Sequence, residues 1–183
     1  MIVTTWIRTR AVLVLGMVLA TLAGCGEDVQ TGPTLPEISG SASATPTTSL
    51  EEDEARRQIL AVYNGYLATY IKASATADYR TTELAAYVGE PLLGQLLNSM
   101  YIMSIDGVHN DGRPTWTPAV TELQLSDGQA VIEDCFDGTN WHAVGGKTPP
   151  PAQPKRYPVV VKAKRVNAKW YVYESTAYRG DPC

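Results

Sequence analysis

The sequence of 183 residues has few of the residue types from which metal sites and nucleic-acid surfaces are built. It contains only two histidines, His109 and His142, and neither belongs to a spacing such as His-x-x-x-His. A site that combines His142 with Asp134 and Asp137 lacks a further ligand, and no Cys-x-x-Cys pair occurs, so we predict neither a metal site nor a cofactor. The 15 Lys and Arg are outnumbered by 19 Asp and Glu, which argues against a general nucleic-acid binder because phosphates require positive charge.

Long hydrophobic runs are also missing. The most apolar stretch, residues 11–23, is too short to cross the ~30 Å hydrocarbon core of a bilayer as a helix. Arg8 and Arg10 precede it, and Leu-Ala-Gly-Cys follows at residues 22–25, an order typical of a secretory signal. Residues 22–25 resemble the lipobox of bacterial lipoproteins, in which the cysteine sulfur receives a diacylglyceryl group and becomes the new N-terminus.

The lipobox resemblance implies cleavage before Cys25, so we expect a signal peptide at residues 1–24 and a lipid anchor on Cys25. The mature chain would lie on the extracytoplasmic face of the cell membrane, held by two acyl chains, which suffice for stable anchoring. Loss of Arg8 and Arg10 lowers Lys plus Arg from 15 to 13 against 19 acidic residues, a formal charge of −6. This charge argues against electrostatic adhesion to anionic lipids. The alternative is an ordinary signal peptide with a chance cysteine.

Residues 26–49 are rich in Gly, Ser, Thr and Pro and show no hydrophobic periodicity. Such a segment buries too little apolar surface to fold. Together with the lipidated cysteine it forms a predicted flexible linker, residues 25–49, with a reach of ~25–30 Å. A single folded domain is predicted for residues 50–183, a length sufficient for one hydrophobic core.

Two cysteines remain once Cys25 is assigned to lipid. They are Cys135 and Cys183, and an exported segment permits a disulfide between them. Only one pairing is then possible, and the bridge would contribute roughly 4 kcal/mol to stability by the chain-entropy relation. The alternative is two free thiols that could bind a metal.

Helical periodicity dominates the first part of the predicted domain. Helices are predicted at residues 50–73, 82–88 and 90–106, with Ser49 as the first cap and Gly107 as the last stop. The first helix carries a stripe of tyrosines at three- and four-residue spacing, namely Tyr63, Tyr66 and Tyr70. Such a stripe indicates either core packing or the wall of a ligand pocket.

The period of the sequence changes after residue 106. Residues 107–114 are dense in turn residues and predict a loop, and residues 145–154 predict a proline-rich loop. Alternating segments predict strands at residues 115–125, 129–136, 141–144, 157–166 and 170–178. Helices first and an antiparallel meander last indicate an α+β fold, with the helices packed on one face of a curved antiparallel sheet.

Several segments of this second part resemble one family. They are residues 130–135 (AVIEDC) followed by Asp137, the Val-rich strand, residues 169–172 (KWYV) and the terminal Gly-x-x-Cys. They resemble actinobacterial exported lipoproteins of the nuclear-transport-factor-2-like (SnoaL-like, cystatin-like) superfamily. The resemblance covers most of residues 50–183 and implies a cone-like fold with Cys135, on an inner strand, bonded to Cys183. Gly138 departs from the family pattern, in which serine often follows the second aspartate.

The resemblance also implies a small apolar ligand in the mouth of the cone. The candidates for ligand binding are Tyr63, Tyr66, Tyr70 and Trp116. Tryptophans in an antiparallel sheet, including Trp141 and Trp170, are more simply explained as packing residues.

Some members of the superfamily are isomerases or cyclases that use a carboxylate, and Asp134 is the candidate for that role. In a strand it shares a face with Ile132 and Phe136, so its side chain could point inward. The alternative is that Asp134 accepts hydrogen bonds from backbone donors or pairs with Arg156 or Arg165. No nucleophile–base spacing accompanies it.

Two functional classes follow from these patterns. The favoured one is a non-catalytic module on the cell surface that binds a small apolar ligand or a neighbouring envelope protein. The other is a small-molecule isomerase or hydrolase with Asp134 as base, but no acid/base pair, phosphate-binding glycine loop or catalytic triad accompanies it. The sequence indicates a membrane partner through the lipid anchor and no nucleic acid, and it specifies no oligomeric state.

Overall fold

The structure is a computed structural model that describes residues 49–146 and 155–183. The predicted signal peptide, the lipidation site Cys25, the linker up to residue 48 and residues 147–154 of the proline-rich loop lie outside the described residues. The described part contains a one-turn 3₁₀ helix at Glu83–Ala86 and two α-helices, α1 (Leu50–Ser74) and α2 (Leu92–Asp106). Its strands are β1 (Val108–Gly112), β2 (Ala119–Gln124), β3 (Gln129–Asp137), β4 (Trp141–Gly145), β5 (Arg156–Val166) and β6 (Lys169–Ala177).

Helix α1 begins as the sequence predicts. The side-chain oxygen of Ser49 accepts a hydrogen bond from the backbone N–H of Glu52 at 3.2 Å, which satisfies one of the unpaired donors of the first turn. Acidic residues in the same turn interact favourably with the positive end of the helix dipole. The face that carries Ile59, Tyr63 and Tyr66 is buried. The amphipathic character of this segment is therefore confirmed.

The predicted helix at residues 82–88 is wrong beyond its first turn. Only Glu83–Ala86 are helical, because the next backbone groups hydrogen-bond to β6 instead. Tyr87 O accepts from Val172 N at 2.9 Å, and Gly89 N donates to Val172 O at 2.8 Å. The ring of Tyr87 lies against Gly65 of α1, where any Cβ would overlap it.

Helix α2 ends at Gly107, which adopts the left-handed conformation (φ 65°) as the predicted stop signal requires. The helix is apolar over most of its surface, yet only Leu92 and Met100 are buried. Ile102 and Ile105 on its last turns are exposed.

The larger sheet has the strand order β2-β3-β5-β6, and all neighbouring strands are antiparallel. On β5, the alternation is as predicted, with Val159 and Val161 buried and Lys162 exposed. The predicted strand at residues 115–125 is shorter than expected, because β2 begins only after Pro118 and Thr115 forms an isolated bridge. Edge strand β2 also carries a register shift after Val120, consistent with the edge or bulge that Pro118 indicates.

The predicted loop at residues 107–114 is wrong as well. Residues Val108–Gly112 form β1, which pairs antiparallel with β4 in a separate two-stranded sheet. The ladder runs from Val108 opposite Gly145 to Gly112 opposite Trp141. Asn, Asp and Gly are depleted in strands, so the local sequence favours a turn, and the distant partner strand decides the conformation.

Both helices lie on one face of the curved antiparallel sheet, which confirms the predicted α+β class. Helix α1 packs against β2 and β6, and α2 packs against β6. The core between these layers includes Ile59, Leu84, Ile132, Val161 and Val172. Within residues 49–146 and 155–183, neither helix combines the length and apolar character that a membrane span needs.

Candidate ligand-binding site

A continuous row of aromatic rings lies between α1 and the sheet. In order of contact, the rings of this aromatic row belong to Tyr63, Tyr66, Tyr70, Trp141, Phe136 and Tyr157. Successive ring centroids are 5.5–6.2 Å apart in tilted or edge-to-face arrangements, which aromatic pairs prefer. Helix α1 supplies the first three rings because the spacing 63, 66, 70 places them on one helix face.

The aromatic row borders a cavity of about 160 Å³. Besides the aromatic row, its lining consists of Leu67, Ile71, Leu96, Val159, Ser175, Ala177 and Arg179. The cavity is therefore walled by apolar side chains from α1, α2, β3, β4, β5 and β6. One guanidinium and a few hydroxyl groups are the polar exceptions.

One end of the aromatic row is buried. There Tyr63 Oη donates a hydrogen bond to Asp134 Oδ2 at 2.7 Å, and Thr117 N donates to Asp134 Oδ1 at 2.6 Å. Burial raises the pKa of Asp134, while the hydrogen bonds from Tyr63 and Thr117 oppose that rise. Burial, followed by the bond to Asp134, also raises the pKa of Tyr63 well above its usual value, so Tyr63 remains a donor. We call Tyr63 and Asp134 the buried end.

The other end of the cavity is open to solvent. Tyr70 and Trp141 are half-buried there, and Ala177 and Arg179 are exposed. The guanidinium carbon of Arg179 lies 4.5 Å from the ring centroid of Tyr157, a cation–π arrangement. We call these residues, Tyr70, Trp141, Ala177 and Arg179, the mouth.

The C-terminal segment reaches the mouth because it is fastened at two points. Tyr178 N donates to Pro158 O at 2.9 Å, which continues the pairing of β6 with β5. Cys183 forms a disulfide with Cys135 on inner strand β3, with 5.9 Å between the two Cα atoms, as the sequence predicts. Arg179 lies between these two attachment points.

The structure brings three of the four predicted ligand-binding residues together. Tyr63, Tyr66 and Tyr70 all line the cavity. Trp116 does not line it; this residue is partly buried against the core, and its indole Nε1 donates to Asn64 Oδ1 at 2.7 Å. Of the other tryptophans, Trp170 is buried in the core and Trp141 lines the cavity.

Asp134 points inward as predicted, with Ile132 and Phe136 on the same buried face of β3. It does not line the aromatic cavity, and its partners are Tyr63 and Thr117 rather than Arg156 or Arg165. Both carboxylate oxygens are thus engaged inside the fold.

Sequence reasoning missed part of the lining. Phe136 and Tyr157 lie opposite each other on β3 and β5, and Arg179 follows β6 in a segment that reads as a loose end. The alternation of Tyr157 with Val159 could have indicated the inward position of Tyr157. No local signal places Arg179.

The hypothetical metal site is not assembled. In the part of the chain that the structure describes, no three His, Cys, Asp or Glu side chains converge as a metal site requires. His142 is exposed on β4, where its backbone lies opposite Asp111 of β1, whereas Asp134 is buried.

No family model and no curated protein match this sequence. Among solved structures, the intermembrane-space region of the chloroplast protein ARC6 is similar with 12% identity and a TM-score of 0.48, over 67% of this chain and 95% of that one. A cystatin-like protein of unknown function from Nostoc punctiforme has 11% identity and a TM-score of 0.40, over 70% and 91%. An NTF2-like protein of unknown function from Shewanella baltica has 14% identity and a TM-score of 0.37, over 72% and 97%. These similarities concern the fold alone.

Proposed function

We propose that this protein is a lipoprotein anchored through Cys25 on the extracytoplasmic face of the membrane, and that its domain binds a small apolar ligand in the aromatic cavity without catalysing a reaction. The anchor is supported by the order of basic residues, apolar run and lipobox at residues 8–25. The binding role is supported by the cavity that lies between the two helices and the strands, bordered by the aromatic row.

The size and lining of the cavity are the observation that carries the binding role. An apolar cavity of about 150 Å³ in another protein accommodates benzene, so a cavity of about 160 Å³ fits a group of one ring. Rings from six residues surround the space, and aromatic walls favour an aromatic or flat apolar guest. A small ligand therefore suits this site better than an envelope protein.

The arrangement of Asp134 supports binding over catalysis. A general base must reach a proton of the bound substrate through a hydrogen bond of about 2.6–3.2 Å. Both oxygens of Asp134 already accept hydrogen bonds from the protein, and the residue does not line the aromatic cavity. Its geometry is that of a buried structural acceptor.

The binding role can be tested with 2-phenylethanol, a neutral probe with one ring. We expect the probe to quench or shift tryptophan fluorescence, because Trp141 lines the cavity, and to raise the thermal unfolding temperature. Ala177→Phe adds a ring at the mouth, where the side chain is exposed and space is available, so it should weaken binding at least tenfold.

A matched control is available on the same strand. Thr176 precedes Ala177 on β6 and points to the opposite face of the sheet, so Thr176→Phe should leave the affinity for 2-phenylethanol unchanged. If Ala177→Phe and Thr176→Phe bind the probe equally well, the cavity is not the binding site.

The anchor is tested separately, in cells. Cys25→Ala should move the protein out of the membrane fraction of a bacterial host and abolish incorporation of labelled palmitate, because Cys25 is the cysteine of the lipobox and its sulfur is the atom that would receive the diacylglyceryl group. Gly26→Ala changes the neighbouring residue and should leave both properties intact. Retention of the Cys25→Ala protein in the membrane would contradict the lipid anchor.

A further inference from the structure

We infer that the ligand of the aromatic cavity is an aromatic or apolar group that carries a carboxylate, and that Arg179 binds this carboxylate at the mouth. The inference rests on the proposed binding function and names the chemical class that the site prefers. It does not involve Asp134.

Arg179 has the geometry of an anion receptor. Its guanidinium carbon lies 4.5 Å from the ring centroid of Tyr157, and the guanidinium also hydrogen-bonds to the Tyr157 hydroxyl. A guanidinium carries five N–H donors, so this contact leaves others for a ligand. Across residues 49–146 and 155–183, the ion pairs involve other residues, and none includes Arg179. Guanidinium N–H groups bind carboxylates in a fixed two-point geometry.

The charges around the cavity favour an anion and disfavour a cation. Arg179 is the charged member of the lining, which contains no Asp or Glu. The formal charge of the whole chain is −4, so the overall field of the protein repels anions. A preference for an anionic ligand must therefore come from Arg179 itself.

The backbone around Arg179 is held in place by the fold on both sides of the residue. The hydrogen bond from Tyr178 N to Pro158 O holds the residue before it, and the Cys135–Cys183 disulfide holds the chain end after it. A donor that is already positioned loses less conformational entropy on binding, which strengthens its interaction with a ligand. The disulfide on the outer side of β3 thus contributes to the binding site on the inner side.

Three probes of similar size separate the contribution of charge from that of the ring. They are phenylacetate, which is anionic, 2-phenylethanol, which is neutral, and 2-phenylethylammonium, which is cationic. We expect the wild-type protein to bind phenylacetate about tenfold more tightly than 2-phenylethanol, since a hydrogen bond to a charged group contributes on this scale, and the cation most weakly. Arg179→Gln should abolish the preference, so that phenylacetate no longer binds more tightly than 2-phenylethanol.

Arg80→Gln provides the matched control. Arg80 also stacks on a tyrosine, with its guanidinium carbon 5.1 Å from the ring centroid of Tyr79, but it does not line the cavity. Its replacement should preserve the tenfold preference for phenylacetate. Added salt should reduce that preference in the wild type and have little effect on 2-phenylethanol.

The outcomes distinguish this inference from the proposed function. Suppose that 2-phenylethanol binds the wild-type protein and that Ala177→Phe weakens this binding. If phenylacetate then binds no more tightly than 2-phenylethanol, the carboxylate inference is wrong and the binding function stands. If Arg80→Gln removes the preference as fully as Arg179→Gln, the anion site lies elsewhere. If no probe binds the wild-type protein, the proposed function itself is wrong.

Discussion

The buried end and the mouth of the aromatic row each contain a tyrosine from the same face of α1, yet they differ in chemistry. Tyr63 is almost completely buried and its hydroxyl is committed to Asp134. Tyr70, two turns later, is half-buried, borders the cavity and makes no side-chain hydrogen bond within the described residues. The helix is the same in both cases, and the opposing strand differs.

This difference shows what turns a core position into a binding position. At the buried end, β3 supplies an acceptor that satisfies the tyrosine hydroxyl, and the surrounding side chains close the core. At the mouth, β4 and the C-terminal segment supply Trp141 and Arg179 at a distance that leaves a space. The buried end should therefore contribute to stability and the mouth to affinity.

The largest expected effect comes from the disulfide that fastens the segment at the mouth. Replacing Cys135 and Cys183 together by Ala should lower the free energy of unfolding by about 4 kcal/mol, because the bridge closes a loop of 48 residues. The measurement is equilibrium denaturation in guanidinium chloride. If the protein remains folded, its affinity for phenylacetate should fall more than its affinity for 2-phenylethanol, since Arg179 is released.

Chemical reduction provides the control for that variant. A dithiol reductant should destabilise the wild-type protein by a similar amount and should have no effect on the double variant. Equal stability of the wild type with and without reductant would contradict the role assigned to the bridge.

The sharpest test of the comparison is a matched pair of hydroxyl deletions. Tyr63→Phe leaves Asp134 Oδ2 without its donor in the core, so it should cost about 1.5–3 kcal/mol of unfolding free energy. Tyr70→Phe removes a hydroxyl with no such partner and should change stability by less than about 0.5 kcal/mol. Denaturation curves of the two variants, measured side by side, decide the matter. Equal losses would show that the two ends do not differ in the way proposed here.

The sequence predicts the buried end better than the mouth because its signals are local. The cap at Ser49, the tyrosine spacing on α1 and the alternation around Asp134 are each readable within a few residues. They predict an amphipathic helix over an antiparallel sheet and an inward carboxylate, and the structure confirms both.

The mouth depends on contacts between residues far apart in the chain. Trp141 meets Tyr70 only because β4 pairs with β1, a strand whose Asn, Asp and Gly residues favour a turn. Arg179 reaches the cavity because Cys183, four residues later, is bonded to a strand 48 residues away. Pattern analysis finds the two cysteines, but not the side chain that their bond positions.

The smallest expected effect is a change in pH dependence at the buried end. Burial raises the pKa of Asp134 in the folded protein, so its contribution to stability is present below the ordinary aspartate pKa of about 4 and is lost as the pH rises through the folded-state value. In the variant Asp134→Asn the side chain cannot titrate, so this pH-dependent loss of stability does not occur. The variant should therefore gain stability relative to the wild type as the pH rises above about 4, by at most about 1.4 kcal/mol per pH unit for one proton.

Denaturation midpoints of both proteins from pH 4 to 8 measure the difference, in which other titrating groups cancel. The affinity of Asp134→Asn for 2-phenylethanol should equal that of the wild type, because Asp134 lies outside the cavity. Parallel pH profiles of stability would mean that the hydrogen bonds from Tyr63 and Thr117 fully offset the effect of burial on the pKa of Asp134.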